Sequence, residues 1–311
     1  MNEPYQKYLE MSIVHFMAYP ETIGGDGPII ETLTEIAIDP FFTAVEIGRI
    51  NDGKTRKEAS RLLRQAHMRV CFGAQPILLS GKHNLNSPDE NQRKGAIDAV
   101  KIGIDQAHEI EAERLALLSG PATKDGTKRE EQIKLLCDSL NQICEYAESQ
   151  GDLGITLEVF DPDIDKKALI GSSRDAAKVA EVVKKEHPSF GIMIDLSHLP
   201  MQRETAKEAL SAVASHLVHV HIGNCVMKDP SYPAYGDQHP RFGIEGSEND
   251  VSQLVEFIKA LFAVGFLGKE GKKRPFVGFE VKPLQGESSQ VVIANAKRVF
   301  NEAWAMCLCS G

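Results

Sequence analysis

The sequence predicts an α/β protein, a (β/α)8 TIM barrel occupying residues 1–311 as one domain. Three observations lead there. Eight short β-rich runs alternate with eight segments of helical periodicity. The runs are too apolar for a sheet wetted on one face, so helices must cover them. Four successive runs, the fifth to the eighth, carry a residue able to bind metal at or near their C-terminal ends, which is where barrels of this class place their chemistry. A doubly wound sheet competes with this reading, and the count of eight decides for the barrel.

The elements follow in order. Residues 12–20 (SIVHFMAYP) read as the first strand, and 28–38 as a helix with apolar residues at Ile29, Ile30, Leu33, Ile36 and Ala37. The alternation continues with a strand over 43–50, a helix over 55–67 and a strand over 69–76, followed by a polar loop at 79–86. Ser87, Pro88 and Glu90 have the spacing of a capping box opening the next helix, which runs to about Glu111. The fourth strand is read at 115–120, and the helix over 128–149 stops at Gly151. Strand five (154–161) precedes a helix at 173–185, and strand six (190–198) a helix at 203–215. Strand seven is 217–224 (LVHVHIGN); its helix, 249–262, is capped by Ser247 or Glu248. Strand eight (274–283) and a last helix (288–306) complete the count. No Pro/Ser linker, low-complexity tract or composition break divides the chain.

Composition narrows the function classes. Hydrophobic residues make up 42% and charged residues 25%, as in ordinary globular chains, and no apolar run approaches the ~20 residues of a membrane span. The start, residues 1–7, has neither the basic nor the apolar region of a signal peptide, so a cytoplasmic location is expected. A net charge of −9 opposes binding to a phosphate backbone, which excludes nucleic acid as the expected partner. The six cysteines read as free thiols: Cys137 and Cys144 share a helix face, and the C-x-C of Cys307 and Cys309 has no second pair to complete a zinc site.

Strand seven carries the first chemical signal. Alternation puts Leu217, His219 and His221 on one face and Val218, Val220 and Ile222 on the other. Either histidine alone could be a satisfied core group. Glu158, Asp195 and Glu280, however, stand at or near the ends of the fifth, sixth and eighth strands, each among apolar residues. Three carboxylates gathered at one half of a barrel mouth repel one another unless neutralised. A divalent cation does this, and three oxygen donors with one imidazole suit Mn²⁺, Mg²⁺, Co²⁺ or Zn²⁺, with Mn²⁺ ranked first. The bland alternative is an ion pair of Glu158 or Glu280 with Lys282 or Arg241. The connection after strand seven, 224–247, is far longer than the usual ~2–6 residues and carries Tyr235, His239 and Arg241, which favours a substrate-covering loop. Lys282 shares the parity of Glu280, so it and Arg241 are candidate holders of an anionic substrate group. His15 and Glu46 are weaker candidates for support around the mouth.

The runs LEVFD (157–161), DLSH (195–198), HVHIGN (219–224) and GFEVKP (278–283) resemble the xylose-isomerase-like TIM barrels, the sugar isomerase and epimerase group that includes tagatose 3-epimerase and the inosose-processing enzymes. The resemblance implies metal ligation by Glu158, Asp195, His221 and Glu280. It also implies acid/base roles for the two glutamates and substrate contact by His198. Met227 stands six residues after His221, where ketohexose-specific relatives carry Arg, and this points away from a free ketohexose.

The expected function is thus a divalent-metal-dependent sugar isomerase or epimerase working through a cis-enediolate on a keto sugar or sugar-acid derivative. A decarboxylase or dehydratase using the same enediolate is the runner-up. An endonuclease IV-like nuclease and a non-catalytic sugar-binding barrel rank below it. The expected partner is a small sugar or sugar acid, without membrane or nucleic acid, and homo-oligomerisation stays open.

Overall fold

The computed structural model describes residues 3–123, 128–268 and 273–308. Eight parallel strands, β1 (Glu10–Ile13), β2 (Ala44–Ile47), β3 (Arg69–Gly73), β4 (Arg114–Leu118), β5 (Gly154–Glu158), β6 (Gly191–Asp195), β7 (Leu217–Gly223) and β8 (Phe276–Glu280), form one sheet. Their order is β1-β8-β7-β6-β5-β4-β3-β2. β1 and β2 face each other across the seam with an isolated bridge, Val14 to Glu46, and a hydrogen bond from Thr43 N to Met11 O, so the barrel nearly closes. The helices are α1 (His15–Ala18), α2 (Ile29–Ala37), α3 (Gly53–Gln65), α4 (Gln75–Ser80), α5 (Glu90–Glu109), α6 (Arg129–Gln150), α7 (Ser173–Val183), α8 (Leu199–Gln202), α9 (Ala206–Val213), α10 (Val251–Ala263) and α11 (Ser289–Leu308).

The outward residues of the strands, among them Val45, Ile47, Ile155, Leu157, Ile192, Ile194, Val220, Ile222, Val277 and Phe279, belong to one apolar core that lies between sheet and helices. Inside the barrel the apolar content is small: Ala44, Cys71 and Phe276 form a separate cluster. Above it the interior is polar, with Ser12, Glu46, His219 and His221 all buried. The helices therefore supply most of the hydrophobic stabilisation, and the barrel axis is released for chemistry.

Several expected boundaries shift. The first strand spans Glu10–Ile13, and residues expected to extend it form α1, opened by the hydrogen bond of Ala18 N to Val14 O. Its partner β8 pairs with it over only four residues, so β propensity beyond Ile13 finds no ladder. The third strand stops at Gly73, and Pro76 sits in the first turn of α4, a helix overlapping the expected 79–86 loop. Asp89, not Ser87, caps α5, accepting from Asn91 N and Gln92 N, while Ser87 Oγ accepts from Asp89 N one turn earlier. Asp250 caps α10 in a capping box with Gln253, in place of Ser247 or Glu248. Cys71, Cys137, Cys144, Cys225 and Cys307 are free thiols; Cys309, like Met1 and Asn2, lies outside the described residues. No described helix is long and apolar enough to cross a membrane.

Candidate active site

Strand alternation delivers the expected residues to one place. Glu158 and Asp195 close β5 and β6, Glu280 closes β8, and His221 lies two residues before the end of β7. Glu158, Asp195 and His221 are buried, and Glu280 keeps slight exposure. One ligand atom from each falls within 4.8 Å of the others.

The hydrogen bonding of Glu158, Asp195 and His221 is split in the same way at each: one atom is held and the other is bare. Glu280 has a bare Oε2 and only an ion-pair approach at Oε1. Glu158 Oε2 accepts from Gln75 Nε2 at 2.7 Å, and Asp195 Oδ1 accepts from Ser197 N at 2.6 Å. His221 Nε2 lies 2.9 and 3.0 Å from the two Glu46 oxygens, and Glu280 Oε1 is 3.5 Å from His239 Nε2. The remaining atoms, Glu158 Oε1, Asp195 Oδ2, His221 Nδ1 and Glu280 Oε2, are buried and have no hydrogen-bond partner. His221 Nδ1 approaches Glu280 Oε2 to 2.7 Å without hydrogen-bond alignment. Orphaned buried polar atoms are rare and costly, and four converging on one point make a donor set of three carboxylate oxygens and one imidazole nitrogen that fits a divalent cation.

Electrostatics agree with the geometry. Burial raises the pKa of Asp195 and repulsion from Glu280 adds to it, against the opposing pull of His198. Burial opposes charge on His221, but Glu46 and Glu280 outweigh it and lift its pKa well above the usual imidazole range. Glu46 is held far below the usual carboxylate range: burial disfavours its charge, and His219 and His221 more than compensate. Burial pushes the pKa of His219 below the usual imidazole range, against the opposing pull of Glu46.

A second group flanks the first. His198 Nδ1 donates to Val159 O at 2.9 Å, and its Nε2 lies 3.0 Å from Asp237 Oδ1. His239 Nε2 approaches the same oxygen to 2.7 Å, and Lys166 Nζ meets Asp237 Oδ2 at 2.7 Å. With acceptors at both ring nitrogens, His198 is charged; burial opposes this, but Asp237 and Asp195 hold its pKa well above the ordinary value. His239, likewise desolvated but facing Glu280 and Asp237, is pushed up to about 9. Asp237 is drawn well below the carboxylate range by His239, His198 and Lys166, which overcome its burial. His239 takes a left-handed backbone conformation, φ 50°, a strained choice for a non-glycine residue that aims its ring inward. The loop after β5 is pre-set locally: Asp161, fully buried, accepts from the backbone N–H groups of Ile164, Asp165 and Lys166, and this turn carries Lys166 to Asp237.

The structure brings together Glu158, Asp195, His221, Glu280, His198 and His239. Arg241 Nε pairs with Glu287 at 2.8 Å, and no ion pair joins Arg241 to the three clustered carboxylates. Lys282 makes no ion pair among the described residues, though its backbone N–H donates to His239 O at 2.7 Å. The bland alternative, an ion pair of Glu158 or Glu280 with Lys282 or Arg241, thus finds neither of those partners; the cationic neighbours of Glu280 are histidines. Glu46, a weaker candidate, is an integral neighbour of His221; His15 is not, being buried against Thr32 Oγ1 at 2.7 Å. Gln75, Asp237 and Lys166 were missed. The D-x-H spacing of Asp237 and His239 was the one signal available. A cavity of about 1380 Å³ opens at the opposite, N-terminal mouth, lined by Arg69, Arg114, Phe262 and Phe276 among others, and none of the candidate ligands lines it.

Comparison with known proteins supports the same assignment of fold. Over 162 residues the chain is 25% identical to fructoselysine 3-epimerase of Shigella flexneri, covering 52% of this chain and 56% of that protein. The chain thus spans about half the length of the curated relatives it matches. A D-tagatose 3-epimerase-like protein superposes with a TM-score of 0.72 at 18% identity, covering 96% of this chain and 98% of the other. D-psicose 3-epimerase from Clostridium cellulolyticum H10 gives 0.66 at 18% identity, with 96% of each chain covered. Residues 39–280 match the family pattern itself, and with the eightfold barrel and its strand-end cluster this places the chain in the xylose isomerase-like TIM barrel family.

Proposed function

We propose that this protein is a divalent-metal-dependent sugar epimerase or isomerase that acts on a keto sugar or a derivative of one. The observation that carries the reading is the set of four unpartnered donor atoms on Glu158, Asp195, His221 and Glu280. Similarity to proteins named as 3-epimerases of fructoselysine, tagatose and psicose supports the substrate class. A bound cation, Mn²⁺ ranked first, would supply Lewis acidity toward a carbonyl and its neighbouring hydroxyl.

The chain's own residues supply the rest. Glu158 and Glu280 stand at the ends of strands five and eight, so one can remove the proton α to the carbonyl and the other can return it from the opposite face. Gln75 fixes one Glu158 oxygen and leaves the other to the site. His198 and His239, charged and steadied by Asp237, place positive charge beside the developing enediolate. Arg241 is partly engaged by Glu287 through Nε, and His198, His239 and Lys282 are proposed as the first substrate-contacting side chains.

The test is isotopic. Purified protein should carry one Mn²⁺, Mg²⁺, Co²⁺ or Zn²⁺ per chain, and incubation with keto sugars in D₂O should place deuterium at the carbon beside the carbonyl in recovered sugar. Glu158→Gln and Glu280→Gln should each abolish that incorporation. Absence of bound metal after reconstitution, or exchange that survives both substitutions, overturns the proposal.

A further inference from the structure

Beneath the four donors sits a carboxylate that is not one of them. Glu46, on β2, is buried, and its two oxygens lie 3.0 and 2.9 Å from His221 Nε2. Oε1 also meets His219 Nε2 at 2.9 Å and accepts from Ser12 Oγ at 3.1 Å. These partners come from β7 and β1, so three strands converge on one side chain. A fourth strand makes room for it: at Gly278 on β8 a Cβ would stand 2.5 Å from Glu46 Oε1 and 2.7 Å from Ser12 Oγ.

We infer that Glu46 is the positioning residue for the metal-ligand imidazole, locking His221 in the ring orientation and tautomer that present the Nδ1 lone pair to a divalent cation. The inference rests on reading the four donors as a cation site. A carboxylate accepts hydrogen bonds and has none to give, so the hydrogen in each imidazole contact sits on Nε2. An imidazole that keeps its hydrogen at Nε2 has its lone pair at Nδ1, and Nδ1 is the His221 atom left without a partner inside the donor set. Rotating the ring by half a turn would send Nε2 into the site and break both contacts with Glu46. A partner of this kind also strengthens the imidazole as a ligand, and losing one typically weakens metal affinity 10- to 100-fold. The competing role is purely structural, neutralising two buried rings. It predicts a change in stability and none in metal affinity once the protein is folded.

The experiment uses Mn²⁺ alone, titrated into metal-free wild-type, Glu46→Gln and Glu46→Asp protein, with free Mn²⁺ read by electron paramagnetic resonance and the fold checked by thermal melting. Both variants should raise the Kd for Mn²⁺ at least about 10-fold while retaining a cooperative melt. Glutamine offers one neutral acceptor where two rings need one, and aspartate is a methylene too short to span both. A measurement on unmutated protein stands beside these, because either variant could fail to fold: the ¹⁵N spectrum of histidine-labelled, Mg²⁺-loaded wild type should show His221 protonated at Nε2 and unprotonated at Nδ1. A folded Glu46→Gln protein with unchanged Mn²⁺ affinity, or a His221 protonated at Nδ1 in the loaded wild type, overturns the inference and leaves the cation site standing. A wild type that binds no Mn²⁺ removes the cation site and the inference together.

Discussion

Glu158, Asp195 and His221 each have one anchored atom and one bare atom, Glu280 adds a fourth bare donor, and this division predicts how substitutions sort. Asp195→Asn and His221→Ala remove a bare donor and should lower metal content to near zero with the barrel still folded, since neither belongs to the apolar core. His198 is not one of the four donors, though its ring stands 3.8 Å from Glu158 Oε1 and 3.9 Å from Asp195 Oδ2; His198→Ala should keep its metal and lose kcat/KM, and metal analysis beside steady-state kinetics separates the two outcomes. His15 gives a test that involves no metal. Thr32 Oγ donates to Pro28 O and so accepts from His15, whose burial pushes its pKa down to about 3. The unfolded chain therefore takes up the proton first, and stability that is complete above pH ~6.5 is lost as pH falls toward the folded value, at about 1.4 kcal/mol per unit. Urea unfolding at pH 7 and pH 5 should show wild type losing about 2 kcal/mol more than His15→Asn, and equal losses would mean that His15 is not buried neutral.

Among the elements, the segment joining β7 to α10 is fixed in place more firmly than its length suggests. Asp237 ties it to the β5 exit through Lys166, Asn224 Nδ2 donates to Arg241 O within it, and Lys282 N donates to His239 O from the β8 exit. Replacing Lys166 with Met should loosen His198 and His239 together, lowering kcat/KM about tenfold, roughly 1.4 kcal/mol, with metal content unchanged; wild-type kinetics would show that the tie does not reach the reaction. The Lys166–Asp237 tie also marks where sequence reading stopped. The alternation of β5, β6, β7 and β8 exposed Glu158, Asp195, His221 and Glu280 because strand parity alone carries a side chain to the barrel axis. Asp237 and Lys166 meet only because two irregular loops fold toward each other, and no period encodes that contact. Gln75 was hidden for a related reason: it begins a helix where β-rich composition suggested a strand. Arg241 was visible as a cation on the right loop, yet its direction depended on Glu287, 46 residues further on.

At the scale of the whole molecule, the proposed cation site would couple ion binding to folding. Three carboxylates drawn into one end of a barrel repel each other in the folded chain and separate when it unfolds, so a cation that binds only the folded form adds stability by mass action. At a free concentration 100 times its Kd the gain is about 2.7 kcal/mol, which for a chain of this size raises Tm by several degrees. The gain should depend on pH in a definite direction. His221 holds a proton well above the usual imidazole range and Asp195 is raised too, so binding must expel protons, and affinity falls as pH falls. The rise in Tm produced by a fixed concentration of Mn²⁺ should therefore be larger at pH 8 than at pH 6. Asp195→Asn, with one donor blunted, should show almost no rise at either pH. Differential scanning calorimetry with and without Mn²⁺ decides the matter: a rise that is equal at both pH values, or equal in the variant, would place the stabilising ion somewhere other than among these four residues.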